Sequence, residues 1–195
     1  MGDERRSQEG AEALSVGVAI PLPEPWLSDL DKARIDSGDP LGGIVPAHLT
    51  LLAPTEITAE TLPVFERHLA ETARASEPFL LHLRGTGTFR PVTDVVFVTV
   101  ARGIASCERL AASIGSGPVA KTSRYPYHPH VTVAQNVSQD DLDTAFDKLA
   151  GFEAQWTVDH FILYTHSRDV GDLTIPTPWT PRRKYDLGRA SHANA

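Results

Sequence analysis

Cysteine, positive charge and long apolar runs are all scarce in this sequence of 195 residues. The single cysteine, Cys107, cannot form an internal disulfide, and its apolar neighbours predict a buried helix position rather than a nucleophile. We therefore expect a protein of the reducing cytoplasm. No segment reaches the ~18 apolar residues that a membrane span needs, and the polar residues 1–10 predict neither a signal peptide nor an anchor, so we expect no membrane partner.

The net charge is also informative, because 18 Lys and Arg residues face 25 Asp and Glu residues, which gives −7. Proteins that bind nucleic acid through diffuse phosphate attraction need a basic face. The balance therefore argues against bulk binding of nucleic acid, although it leaves room for a small basic pocket. The apolar fraction of 41% is ordinary for a globular core, enough for one compact domain or two small lobes.

Hydrophobic periodicity predicts strands and helices in a similar order in both halves of the chain. Ser138 is a predicted helix N-cap, Pro54 is expected to end its strand, and residues 85–91 read as a loop. The predicted strands are 14–20, 47–54, 79–83, 94–100, 130–134 and 155–165, and the predicted helices are 26–35, 58–76, 104–114 and 139–150.

This duplication predicts an α+β fold that is bilobal, with two pseudo-symmetric lobes, each with an antiparallel sheet and packed helices, around a central cleft. We expect one domain over 14–187, with lobes at about 14–101 and 102–187 and an exchange of strands between them left open. Residues 1–13 and 188–195 are predicted to be a flexible arm and a flexible tail.

Two short motifs carry the chemistry. In HLTLL, His48 and Thr50 share one strand face, and in HVTVA, His130 and Thr132 do the same, with apolar residues on the opposite face. A bare His-x-Thr arises about once per chain by composition, but two copies with the apolar pattern are on the order of a one-in-a-thousand event. The alternative, that both are ordinary edge-strand residues, is therefore much weaker for the pair than for either motif alone.

Two imidazoles suit the opening of a phosphodiester. One proton must leave the attacking water and another must reach the departing alkoxide, and imidazoles with a pKa of about 6.5 can do both near neutral pH. The hydroxyl groups of Thr50 and Thr132 could bind the non-bridging oxygens where charge accumulates. This chemistry requires no metal, and we expect no cofactor.

The paired motifs resemble the signatures of the 2H phosphoesterase superfamily, and the extended YPYHPHVTVA is similar to bacterial 2′-5′ RNA ligase-like proteins. The resemblance covers roughly residues 14–170. It implies a bilobal α+β fold with both motif strands lining a cleft. It further implies hydrolysis of a 2′,3′-cyclic phosphate to a 2′-phosphomonoester, sometimes alongside reversible 2′-5′ joining, with His48 as proton donor and His130 as proton acceptor.

Several other residues are candidates for substrate binding. Arg124 and Tyr127 precede the second motif and could contact a phosphate or stack on a base, and Phe89 could form a stacking wall. Each could equally be an ordinary loop or packing residue. The HPH triplet of His128 and His130 invites a zinc site, but no cysteine or carboxylate cluster lies near it in sequence, so we predict none.

Two functions from different classes remain open at this point. One is a hydrolase acting on RNA with a 2′,3′-cyclic phosphate end or on a small cyclic nucleotide. The other is a non-catalytic module that binds RNA ends or nucleotides with the same fold. The intact pairs of histidines and threonines favour the enzyme, because a binder needs no matched proton donor and acceptor. We expect a monomer.

Overall fold

The computed structural model describes residues 13–119, 125–166 and 178–188. Apart from Ala13 and Gly188, the predicted arm and tail lie outside these residues. The strands are β1 (Ala13–Pro21), β2 (His48–Thr58), β3 (Phe79–Thr88), β4 (Val95–Arg102), β5 (His130–Gln135), β6 (Glu153–Val158), β7 (His160–His166) and β8 (Trp179–Asp186). The helices are α1 (Trp26–Asp36), α2 (Thr61–Ala75), α3 (Ile104–Gly115) and α4 (Gln139–Lys148).

The strands form one curled antiparallel sheet in the order β6-β3-β4-β5-β2-β1-β7-β8, which confirms the α+β class. Two four-stranded parts meet where β2 lies beside β5, with Leu49 opposite Val131. We call β2-β1-β7-β8 the His48 half-sheet and β5-β4-β3-β6 the His130 half-sheet. Each half-sheet contains strands from both the first and the second half of the chain. The predicted lobe boundaries stay a prediction.

Two expectations about strand ends were wrong, and both concern residues that usually break strands. Pro54 does not end β2, because the register shifts from Val18 opposite Leu52 to Val16 opposite Thr55, and the bulge accommodates a residue without an N–H. Residues 85–88 belong to β3 rather than to a loop. Gly85 has φ +67° at another register shift, after which the pairing with β4 continues.

The predicted strand 155–165 is two strands, since β6 ends at Val158 and β7 begins at His160. β6 pairs with β3 and β7 pairs with β1, so the chain passes from one half-sheet to the other at Asp159. The carbonyl oxygen of Asp159 accepts a hydrogen bond from Leu187 N at 2.8 Å. No glycine or proline in the sequence marks this break. The edge strand β8 was not predicted from the sequence.

Each helix packs one apolar face on the sheet. On α2, Leu62, Phe65, Leu69 and Ala73 are buried, and on α3 Cys107 is fully buried, as predicted for the cysteine. Ser138 caps α4, because its Oγ accepts a hydrogen bond from Asp141 N at 3.2 Å. Within the described residues, no helix has the length and apolarity to cross a membrane.

Candidate active site

The two motifs meet where the half-sheets join. Because Leu49 of β2 lies opposite Val131 of β5 and both are fully buried, their neighbours along each strand point to the other face of the sheet. There, the four predicted side chains line one cavity of about 310 Å³: His48, Thr50, His130 and Thr132. The structure thus brings together two imidazoles and two hydroxyls, although the two histidines are 82 positions apart in the chain and so are the two threonines.

Both imidazoles are fixed in the same way. The Nδ1 atom of His48 lies 2.7 Å from the carbonyl oxygen of Pro46, and the Nδ1 atom of His130 lies 2.7 Å from that of His128. A carbonyl oxygen can only accept, so each Nδ1 carries the proton. In the neutral rings, each Nε2 therefore keeps a free lone pair, which is the state a general base needs.

Burial favours the neutral form of both rings. Desolvation lowers the pKa of His48 to about 4, against a smaller opposite effect of the Pro46 carbonyl, and the charges of Arg34 and His130 lower it further. Desolvation also lowers the pKa of His130, and His128 adds to that effect. An anion in the cavity would act in the opposite direction, because it stabilises a charged imidazole.

An indole ring covers His48. The ring centroids of Trp179 and His48 are 4.7 Å apart, and the ring of Tyr164, on β7, lies 5.4 Å from that of Trp179. Gly17 makes this possible, since a Cβ there would lie 3.0 Å from the indole. Trp179 also lines the cavity. Sequence reasoning missed it, because the strand that carries it follows residues with no clear strand pattern.

Two phenylalanines lie against His130. The ring of Phe89 meets it edge-on, with centroids 5.0 Å apart and an angle of 88°, and Phe97 lies at 5.1 Å. Gly87 gives Phe97 its space, since a Cβ there would lie 2.6 Å from the ring. The structure thus places Phe89 as a support for an imidazole, and its predicted contact with a base stays a prediction.

A buried ion pair also reaches the cavity and was missed from the sequence. Arg34 lines the cavity, and its Nη2 lies 3.0 Å from Asp39 Oδ2, with side chains 3% and 0% exposed. The carboxylate oxygen Oδ1 of Asp39 accepts a further hydrogen bond from Leu41 N. Arg34 lies in α1 and Asp39 in the loop after this helix, and the position of these two elements brings the ion pair to β2. No local sequence motif indicates this position.

The remaining candidates are placed differently. Arg124 lies outside the described residues. The hydroxyl of Tyr127 donates to the backbone carbonyl of Thr50 at 2.9 Å, which connects the segment before β5 to β2. Burial raises the pKa of this phenol. Over residues 13–119, 125–166 and 178–188, no three His, Cys, Asp or Glu side chains cluster as metal ligands would.

A curled sheet with a histidine and a threonine from each of two central strands in one cavity defines a protein of the two-histidine phosphoesterase class. The family model of the 2′-5′ RNA ligase superfamily matches residues 21–170, and the chain belongs to this superfamily. The resemblance drawn from the two motifs is thereby confirmed.

Individual relatives agree. A Bacillus pumilus protein named "Putative phosphoesterase" is 32% identical over 155 residues, which are 77% of this chain and 88% of the relative. A protein of the same description from Oceanobacillus iheyensis is 28% identical over 179 residues, 90% and 99% of the two chains. Escherichia coli LigT, solved with NADP+, shares the fold with a TM-score of 0.65, 23% identity and coverage of 91% and 100%.

Proposed function

We propose that this protein hydrolyses 2′,3′-cyclic phosphates, at RNA ends or in small nucleotides, by general acid and base catalysis without a metal. The observation that supports this best is the matched state of the two imidazoles. Each ring donates its Nδ1 hydrogen to the backbone carbonyl two residues before it, and both rings line one cavity together with two threonines. A module that merely bound nucleotides would not need two rings held in the same tautomer.

In the proposed reaction, a water molecule attacks the phosphorus atom while Nε2 of His130 accepts its proton. The bond from phosphorus to the 3′ oxygen breaks, and Nε2 of His48 donates a proton to that oxygen, which leaves a 2′-phosphomonoester. Thr50 and Thr132 donate hydrogen bonds to the non-bridging oxygens. Exchange of one proton with solvent then restores the starting state.

His48 must be protonated to donate, although the pKa of its ring is about 4 in the folded chain. The cyclic phosphate supplies the missing stabilisation, because its negative charge lies beside the ring that gains a proton. Binding of the substrate and protonation of the acid are thus coupled. The acid forms in the complex and not in the free protein.

The substrate class follows from size and charge. A cavity of about 310 Å³ is small for a ligand site and suits the phosphate end of a nucleotide rather than a long polymer. The net charge of −7 disfavours tight binding of long RNA. LigT has been solved with 3′-AMP and with ATP, which supports a nucleotide-like ligand here. We also propose a cytoplasmic monomer, consistent with one buried free cysteine.

The test is hydrolysis of 2′,3′-cyclic AMP by the purified protein in EDTA, with chromatographic identification of 2′-AMP. We expect turnover that falls by ~10²–10⁴ in His48→Ala and in His130→Ala. His82→Ala is the matched control, because His82 is a partly buried histidine outside the cavity that pairs with Glu153. Tight binding without turnover in the wild-type protein would support the non-catalytic module instead, and dependence on a divalent metal would contradict the proposed mechanism.

A further inference from the structure

The segment just before His48 is attached to α1 by side chains that the proposed reaction does not use. Residues 45–47 lead into β2, and the carbonyl of Pro46 in their middle accepts the Nδ1 proton of His48. Val45 and Ala47, on either side, are 3% and 1% exposed. The position of this one carbonyl sets both the tautomer and the direction of the ring.

Arg34 holds the first side of the segment. Its Nη1 donates to the carbonyl oxygen of Val45 at 2.9 Å, and its Nε donates to Asp39 Oδ2 at 3.1 Å. Because Asp39 is itself bonded to Leu41 N, the guanidinium cannot turn without breaking several bonds. A planar guanidinium with bonds in two directions is a stiff link between α1 and residue 45.

Asp31 holds the second side. Its Oδ1 accepts a hydrogen bond from Ala47 N at 2.5 Å, one helical turn before Arg34. Residues three apart lie on the same face of a helix, so both side chains reach the same segment. The peptide groups on either side of Pro46 are therefore each anchored to α1, and Pro46 itself has a fixed φ.

From this arrangement we infer that Asp31 and Arg34 are positioning residues for His48, acting through the backbone of residues 45–47. The inference rests on the proposed function for its effect on turnover. The two side chains keep the carbonyl of Pro46 within 2.7 Å of Nδ1 and so hold Nε2 toward the cavity. Such supporting contacts make a site rigid enough for proton transfer.

The deciding experiment uses Asp31→Ala in the full chain, with Asp31→Asn as the conservative variant. Asparagine keeps an accepting Oδ1 and loses only the charge. Asp36→Ala is the matched control, because it also removes a carboxylate from α1 but one that is paired with Lys32 on the surface. Two quantities are measured: the tautomer of His48 by ¹⁵N NMR of the imidazoles, and kcat and KM for 2′,3′-cyclic AMP.

We expect Asp31→Ala to populate both tautomers of His48 and to lower kcat about tenfold, with KM changed less than about twofold. Asp31→Asn and Asp36→Ala should keep the wild-type tautomer and kcat. Should the alanine variant be unfolded at the assay temperature, Asp31→Ser replaces it, since serine is too short to reach Ala47 N.

A folded alanine variant with the wild-type tautomer and kcat would overturn the inference. An asparagine variant as impaired as the alanine variant would also overturn it, since the charge and not the hydrogen bond would then matter. If the wild-type protein hydrolyses no cyclic phosphate, the proposed function is wrong. The tautomer measurement still decides whether Asp31 positions His48.

Discussion

The two half-sheets present the same motif in different surroundings. His48 lies beside the indole of Trp179 and near the guanidinium of Arg34, and a segment attached to α1 supplies its backbone acceptor. His130 lies against Phe89 and Phe97, whose rings also contact each other, and its backbone acceptor belongs to the HPH triplet. Identical strand positions therefore do not give identical environments.

The difference lies in the charges that face each ring. The guanidinium of Arg34, which is held in a buried ion pair with Asp39, repels a protonated His48. The neighbour that repels a protonated His130 is a second imidazole, that of His128. The two rings therefore differ in their electrostatic surroundings although both are held by a backbone carbonyl in the same way.

The strongest test of this asymmetry removes the need for the acid. We expect His48→Asn and His130→Asn each to lower kcat on 2′,3′-cyclic AMP by ~10²–10⁴. With a 3′-deoxynucleoside 2′-(4-nitrophenyl phosphate), in which 4-nitrophenolate replaces the 3′ oxygen as leaving group and departs without a proton, His48→Asn should recover most of its loss and His130→Asn should not. Release of 4-nitrophenolate is followed by absorbance. Equal losses of both variants on this substrate would show that the roles are assigned wrongly.

Two threonine variants test whether Thr50 and Thr132 contribute equally to binding of the phosphate. Thr50→Val and Thr132→Val each remove one hydroxyl but keep the shape of the side chain. A hydrogen bond to a charged group contributes about 1.5–3 kcal/mol, so we expect kcat/KM to fall about 10- to 100-fold in each variant. Thr180→Val on the exposed β8 is the control. If one variant is unaffected, a single threonine binds the phosphate.

The pH dependence of stability reports on the buried imidazoles. The pKa of His48 is about 4 in the folded chain and about 6.5 when unfolded, so the unfolded chain binds more protons between these values. Stability should therefore fall as the pH drops from 6.5 to 4, by roughly 2–3 kcal/mol from His48, with His130 adding in the same direction. Urea unfolding at several pH values measures this.

His48→Gln is the comparison for that measurement, because glutamine does not titrate. Its free energy of unfolding should depend less on pH in this window than that of the wild-type protein. Phosphate should reduce the wild-type dependence as well, since an anion in the cavity raises the pKa of the ring. An equal slope in the two proteins would mean that His48 is not desolvated as the structure indicates.

The site could be predicted from sequence as far as its chemistry is local. Alternation with period two placed His48 and Thr50 on one strand face, and the repeated motif indicated a partner. Trp179 and Arg34 could not be found in this way, because they reach the cavity through the order of strands and the packing of α1. For the same reason, the break at Asp159 was missed: it depends on which half-sheet receives each strand.

The smallest expected effects come from Gly87 and Gly17, which make room for Phe97 beside His130 and for Trp179 beside His48. A methyl group at position 87 would lie 2.6 Å from Phe97, which is 4% exposed and cannot move away, so Gly87→Ala should cost about 1–3 kcal/mol of stability.

At position 17 a methyl group would lie 3.0 Å from the half-buried Trp179, which can shift. Gly17→Ala should therefore leave the thermal midpoint close to that of the wild type and change KM instead, because the indole moves relative to His48. Thermal unfolding and steady-state kinetics of the two variants separate these outcomes. An equal loss of stability in both variants would mean that Trp179 and Phe97 are equally rigid. The two half-sheets would then differ only in the charges near each histidine.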